Sequence, residues 1–136
     1  MSQKNVELVR GLLETPVRPN FSDAELERLF HPDVHLDLTV REVNPATYDG
    51  YAGVRQFVRD LFEIWDEWSF QQPFELLPAT NDRVVAVYTL RGRGRSSGVV
   101  VEMPVYNVYT VRAGKVIRLK SYRDGAAALK AVGLPP

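Results

Sequence analysis

Apolar residues recur along the first segment at intervals of three and four, as Val6, Leu8, Val9, Leu12 and Leu13. That spacing predicts an amphipathic helix, terminated by the Pro16 to Pro19 stretch, whose apolar stripe needs a partner. Ser22 with Glu25 three positions later has the form of a capping box, opening a short helix with Leu26, Leu29 and Phe30 on its core face and closed by Pro32. Val34, Leu36 and Leu38 then alternate with His35 and Asp37, the period of a strand with one buried face. Asn44, Pro45, Asp49 and Gly50 predict a loop over residues 41–50, ending near Gly53. In the long helix that follows, Val54, Phe57, Val58, Leu61, Phe62 and Trp65 share one face, while Arg55, Arg59, Asp60, Glu63 and Asp66 lie mostly on the other.

From Trp68 the period becomes two. Strands are predicted at Phe70 to Leu77, Arg83 to Arg91, Val99 to Val111 and, after a tight Ala113-Gly114 turn, Val116 to Tyr122. Gly92, Gly94, Ser96, Ser97 and Gly98 make a long hairpin tip, and Pro104 inside a strand points to an edge or a bulge. Asp124 can cap a last helix, Ala126 to Val132, stopped by Gly133. Because the strands run together rather than alternating with helices, the class is α+β, with a bent antiparallel sheet wrapped over the long helix and an apolar space between them.

Length and composition narrow the chemistry. The 136 residues suit a single domain over the whole chain. Seventeen basic residues balance seventeen acidic ones, so neither nucleic acid nor a membrane surface is the expected partner. With no cysteine there is no disulfide, thiolate nucleophile or zinc ribbon, and only two histidines could ligate a metal. No P-loop, dinucleotide fingerprint, G-x-S-x-G elbow or HExxH is present, so no cofactor and no metal are expected. No secretory signal is visible and the longest unbroken apolar run, Val84 to Tyr88, has five residues, which makes the cytoplasm the expected compartment.

Several short stretches, in order and spacing together, carry a likeness: Asn5-Val6-Glu7-Leu8-Val9-Arg10, Phe30-His31-Pro32-Asp33-Val34, Gly53-Val54-Arg55-Gln56-Phe57, Gly114-Lys115-Val116, and Tyr122-Arg123-Asp124 with Ala128-Leu129. The pattern resembles the SnoaL-like branch of the nuclear-transport-factor-two-like superfamily. The resemblance implies a cone-shaped α+β barrel open at one end into a mostly apolar cavity, and a homodimer through the outer face of the sheet. It does not imply one activity, because the scaffold hosts isomerases, polyketide cyclases, epoxide hydrolases, dehydratases, ligand binders and transport adaptors. Laid over the ketosteroid isomerase pattern, the general-base aspartate falls on Leu38, the first-helix tyrosine near Leu12 or Leu13, and the second oxyanion donor on Asn107. That constellation is therefore missing, although the Asn107 amide can still donate to a carbonyl or enolate.

Strand parity sorts the remaining candidates. If Leu36 and Leu38 point inward, His35 and Asp37 point outward, and a shift of one residue would reverse this and make them an acid and base pair in the cavity. Met103, Val105, Asn107 and Tyr109 share an inward face, as do Ala86, Tyr88 and Leu90, and Leu119, Ser121 and Arg123. With Val58, Leu61 and Trp65 of the long helix these are the expected pocket wall. Asn107, Asp37, His35 and Arg123 are the candidate catalytic residues, each with a plainer alternative. Asn107 is a ligand contact or a structural amide; Tyr88 is a cavity hydroxyl or a core tyrosine. Arg123 faces an anion or pairs with Asp124, Asp37 or Glu14, and His35 and Asp37 are otherwise interface or solvent residues. Arg91, Arg93 and Arg95 on the hairpin tip read most simply as a solvated face. Three functions stay open: an isomerase, cyclase or lyase acting on a hydrophobic carbonyl compound; a binding or sensing protein for a small apolar ligand; or a dimeric interaction module using Glu102, Tyr106, Arg118, Lys120 and Tyr122.

Overall fold

A computed structural model describes residues 2–15, 21–41 and 45–135. The first helix, α1 (Ser2–Glu14), buries Val6, Val9 and Leu13, as its three- and four-residue spacing requires; the Pro16 to Pro19 stretch lies outside the described residues. Ser22 caps α2 (Asp23–Leu29) by accepting from the Glu25 N–H at 3.1 Å. Pro32 does not close this helix. Phe30 is already extended, with φ −122°, and begins β1 (Phe30–Asp37), because a residue preceding proline is driven out of the helical region and His31 must therefore be extended.

The expected loop over 41–50 contains a short strand, β2 (Thr47–Asp49), paired antiparallel with His35, Leu36 and Asp37. The long helix α3 (Gly50–Ile64) opens three residues before Gly53, from Gly50 at φ +67°. Gly53 has a different reason to be small: a Cβ there would stand 2.8 Å from the Tyr48 carbonyl carbon. Trp65 belongs not to the helix but to the next strand, since its backbone is extended and pairs with Gly94.

β3 (Trp65–Ala79), β4 (Arg83–Gly94), β5 (Val100–Arg112) and β6 (Lys115–Tyr122) follow as antiparallel neighbours. The Ala113-Gly114 turn between the last two holds both residues at positive φ, 53° and 73°, the geometry of a tight hairpin. The sheet order is β2-β1-β6-β5-β4-β3, and β1 lies parallel to β6, closing the element sequence on itself without closing the sheet. Pro104 sits in an interior strand with no bulge against β4, contrary to the simplest expectation. β6 pairs only from Tyr106 onward, however, so Pro104 has a neighbour on one side alone and behaves locally as an edge residue.

The two sheet faces bury different things. On the inner face α1, α2 and α3 pack against Leu36, Leu38, Val84, Ala86, Tyr88, Leu90, Tyr109 and Leu119. Fully burying one such aliphatic side chain contributes roughly 1.5–3 kcal/mol. On the outer face Val85 and Val108 meet Ala128 of α4 (Gly125–Ala131) and its C-cap Val132, with Tyr106 and Tyr122 packed alongside. Asp124 caps that helix through the Ala127 N–H at 2.8 Å, and Gly133 at φ +77° ends it. No helix among the described residues is long and apolar enough to cross a membrane.

Candidate functional site

The continuous register of β4 against β5 sets Ala86 opposite Asn107, Tyr88 opposite Val105 and Leu90 opposite Met103; β5 in turn sets Asn107 opposite Ser121. Four polar side chains are thereby gathered under the long helix. Ser121 Oγ donates to Asn107 Oδ1 at 2.6 Å, Asn107 Nδ2 donates to the Tyr88 hydroxyl at 3.0 Å, and the Tyr88 and Tyr109 hydroxyls lie 3.4 Å apart. Asn107 is fully buried, and both atoms of its amide are used within this chain. Burial pushes the Tyr88 hydroxyl well above the usual tyrosine range, with Tyr109 beside it acting in the same direction; burial raises Tyr109 too. Both are neutral hydroxyls at ordinary pH, able to donate but not to act as bases.

Above this network lies a narrow inner cavity of about 70 Å³, walled by Leu36, Val58, Leu61, Leu119, Trp68 and Phe70 among others, with Tyr88, Asn107 and Tyr109 as its floor. Among the described residues the buried indole N–H of Trp68 has no hydrogen-bond partner, which costs about 1–3 kcal/mol until an acceptor meets it. Glu25, from the first turn of α2, is the one carboxylate among the described residues that borders this cavity.

A larger outer cleft of about 360 Å³ opens between the C-terminal end of α3 and strands β4 to β6, walled by Leu61, Trp65, Leu90, Met103, Val105 and Ser121, with Arg41 and Arg123 at its polar side. Gly92 makes room for its wall: a Cβ there would stand 2.7 Å from the Trp65 ring. None of the described residues lining this cleft is acidic.

Arg41 borders both spaces. β1 ends in a turn closed by the Arg41 N–H on the Leu38 carbonyl at 3.2 Å, which swings the arginine under α3, its guanidinium carbon 5.7 Å from the Phe57 ring centre. Burial lowers its pKa, opposed by its proximity to Tyr88, Tyr109 and Tyr48, yet a guanidinium stays charged in a protein. No carboxylate among the described residues lies within 4.0 Å of it.

The structure sorts the candidates of the sequence unevenly. Val58, Tyr88, Tyr109, Leu36 and Leu119 border the inner cavity, Trp65, Leu90, Met103, Val105 and Ser121 the outer cleft, and Leu61 both. Leu38 is core and borders neither. His35 and Asp37 lie outside both spaces, on the opposite face of β1. His35 Nδ1 is 2.6 Å from Asp49, and Asp37 accepts from Thr39 Oγ1 at 2.7 Å and from its N–H at 3.2 Å. The Thr39 bond holds the Asp37 carboxyl below its usual range. The register is not shifted, so His35 and Asp37 keep the outward placement that strand parity gives them, and neither borders the spaces lined by Asn107 and Arg123. Arg123 lines the outer cleft with no ion pair to Asp124, Asp37 or Glu14. The tip arginines are held locally, Arg93 by Asp66 at 2.7 Å and Arg95 by the Phe62 carbonyl at 2.6 Å.

Sequence reasoning missed Arg41, Glu25 and the orphaned Trp68 N–H. Alternation from Leu36 through Leu38 says nothing of Arg41, because the turn at Thr39 and Val40 breaks the parity before it. Glu25 was absorbed by its role as a capping residue.

Comparisons with known proteins agree with this geometry. A family model described as SnoaL-like domain matches residues 10–119. Among solved structures, a nuclear-transport-factor-two-like protein from Burkholderia xenovorans LB400 aligns with TM-score 0.73 at 23% identity, covering 98% of each chain. TerC, co-crystallised with polyporic acid, aligns with TM-score 0.66 at 20% identity, covering 95% of this chain and 97% of that one. A protein of ketosteroid isomerase-like fold from Catenulispora acidiphila DSM 44928, in complex with trimethylamine, gives TM-score 0.70 at 18% identity over 95% and 94%. At these identities the likeness is one of fold. No match is found among curated proteins.

Proposed function

The chain belongs to the SnoaL-like domain family, and on that premise we propose that it binds a small, largely apolar molecule bearing an acceptor oxygen, held in the connected spaces under α3. One observation carries this reading. The walls are apolar, and the polar groups that reach them are mostly neutral or cationic donors, while the histidine and aspartate that could shuttle protons stand on the other face of β1. Such a cavity can grip and orient a carbonyl compound, with the Trp68 N–H as a candidate donor to its oxygen. Solved relatives of this fold hold small molecules, polyporic acid in one and trimethylamine in another, which supports a ligand-bearing cavity.

A second reading, proton transfer at such a carbonyl compound, is favoured by Glu25 alone, which borders the same inner cavity as Asn107 and Tyr109. One experiment separates the two. Titration with 2-acetylnaphthalene, followed through Trp65 and Trp68 fluorescence, is expected to saturate, and the methyl protons of the bound ketone to exchange with deuterium no faster than with Glu25→Gln. Exchange that the substitution abolishes makes the protein an enzyme; no saturable change in fluorescence removes the cavity reading altogether.

A further inference from the structure

The outer cleft contains a mismatch of charge. Arg41 and Arg123 reach it from different elements, one from the turn after β1 and the other from just past the end of β6, and none of the described residues lining it carries a negative charge. Some arginines elsewhere are answered by acids: Arg55 meets Asp23 at 2.5 Å, and Arg93 meets Asp66 at 2.7 Å and Glu67 at 3.5 Å. Arg41 is set apart by its enclosure: it is largely buried and packs on Phe57 without a carboxylate within 4.0 Å among the described residues. A guanidinium taken out of water without a counter-charge is destabilising, and truncating the anion of such a pair is strongly so. Glu25 shares the inner cavity with Arg41 but does not come within ion-pair distance. The planar fork of a guanidinium matches a carboxylate in two parallel hydrogen bonds, whereas the other groups at hand, Ser121 and the buried Asn107, are already bonded to each other.

We propose that the ligand of this cleft is an apolar carboxylic acid, bound as its anion, with Arg41 as the principal carboxylate contact, Arg123 as a second cation at the mouth, and the hydrocarbon part against Leu61, Trp65, Leu90 and Met103. The proposal rests on the reading of the cavity given above and specifies the charge of what it holds. Arg41 is the stronger contact because it is more enclosed, whereas the exposed Arg123 is screened by water and salt. Ion-pair strength inside the cleft therefore outlasts a rise in ionic strength better than a surface site would.

The test is a pair of calorimetric titrations near neutral pH with naphthalene-2-carboxylate and naphthalene-2-carboxamide, which share a shape and differ in charge. The acid is expected to bind about 10- to 100-fold more tightly than the amide, the range a charge-assisted hydrogen bond supplies. Arg41→Met is expected to remove most of that ratio and Arg123→Met a smaller part, each weakening acid binding more than amide binding. If Arg41→Met fails to fold by circular dichroism, Arg41→Lys and the exposed Arg123→Met carry the comparison. Equal affinities for acid and amide, or a ratio that no variant changes, overturn the acid assignment and leave the cavity reading standing. Binding of neither compound overturns the cavity reading, and the acid assignment with it.

Discussion

The two spaces under α3 share Arg41, Phe57 and Leu61, yet the hydroxyl and amide groups beneath the one and the arginines of the other are in opposite conditions. At the floor of the inner cavity, Asn107, Tyr88 and Tyr109 are bonded to one another and, through Asn107, to Ser121 in the wall of the outer cleft. In the outer cleft, the arginines face apolar walls and no acid. A satisfied network fixes shape; an unsatisfied charge awaits a partner. The inner group is accordingly scaffold and the outer group recognition, although a pattern of polar residues along the strands would rank them the other way.

The contrast is easiest to break at Asn107. Replacing it with leucine strands the Ser121 hydroxyl and removes the donor to Tyr88, so chemical denaturation should show a loss of about 2–4 kcal/mol, while the acid-to-amide preference of whatever protein remains folded is unchanged. A variant that keeps full stability and loses the preference would reverse the two roles. Gly92→Val comes next: its side chain meets the Trp65 ring, and the expected cost of overpacking is about 1–3 kcal/mol together with weaker binding of any naphthalene compound.

Tyr88→Phe sharpens the inner side through pH. Burial raises the folded pKa of this hydroxyl above its ordinary 10.0, so the tyrosine ionises more readily unfolded than folded. Stability is then level below about pH 10 and falls above it, by about 1.4 kcal/mol per pH unit for each such group. The phenylalanine variant should show a shallower alkaline decline in denaturant titrations; an unchanged slope would mean that Tyr88 is not held neutral by burial. Arg123→Met should leave stability within about 0.5 kcal/mol, because its side chain is exposed and makes no ion pair. Smallest is Thr39→Ala, away from both spaces. Losing the Thr39 bonds should raise the Asp37 pKa, visible by NMR titration at acid pH, with no change in ligand binding.

How much of this was legible depends on whether a signal was periodic. The inward rows of β4, β5 and β6 follow from alternation alone, and so does the outward placement of His35 and Asp37, since β1 keeps a period of two from Val34 to Leu38. The extent of α2 was misread because Pro32 acts on the residue before it and not at its own position. β2 was hidden in a loop rich in turn residues, for three residues on a sheet edge carry almost no pattern. Arg41 was invisible for the same kind of reason: a turn places it, and its importance comes from what is not beside it. The pairing of Asn107 with Ser121 and Tyr88 could have been inferred, given a correct register, from three polar residues on one inward face.

The most direct measurement is a crystal structure grown with naphthalene-2-carboxylate. The account places the carboxylate in the outer cleft against the Arg41 guanidinium, with the rings on Trp65 and Leu61. A carboxylate turned away from Arg41, or a naphthalene found only on the protein surface, would contradict it.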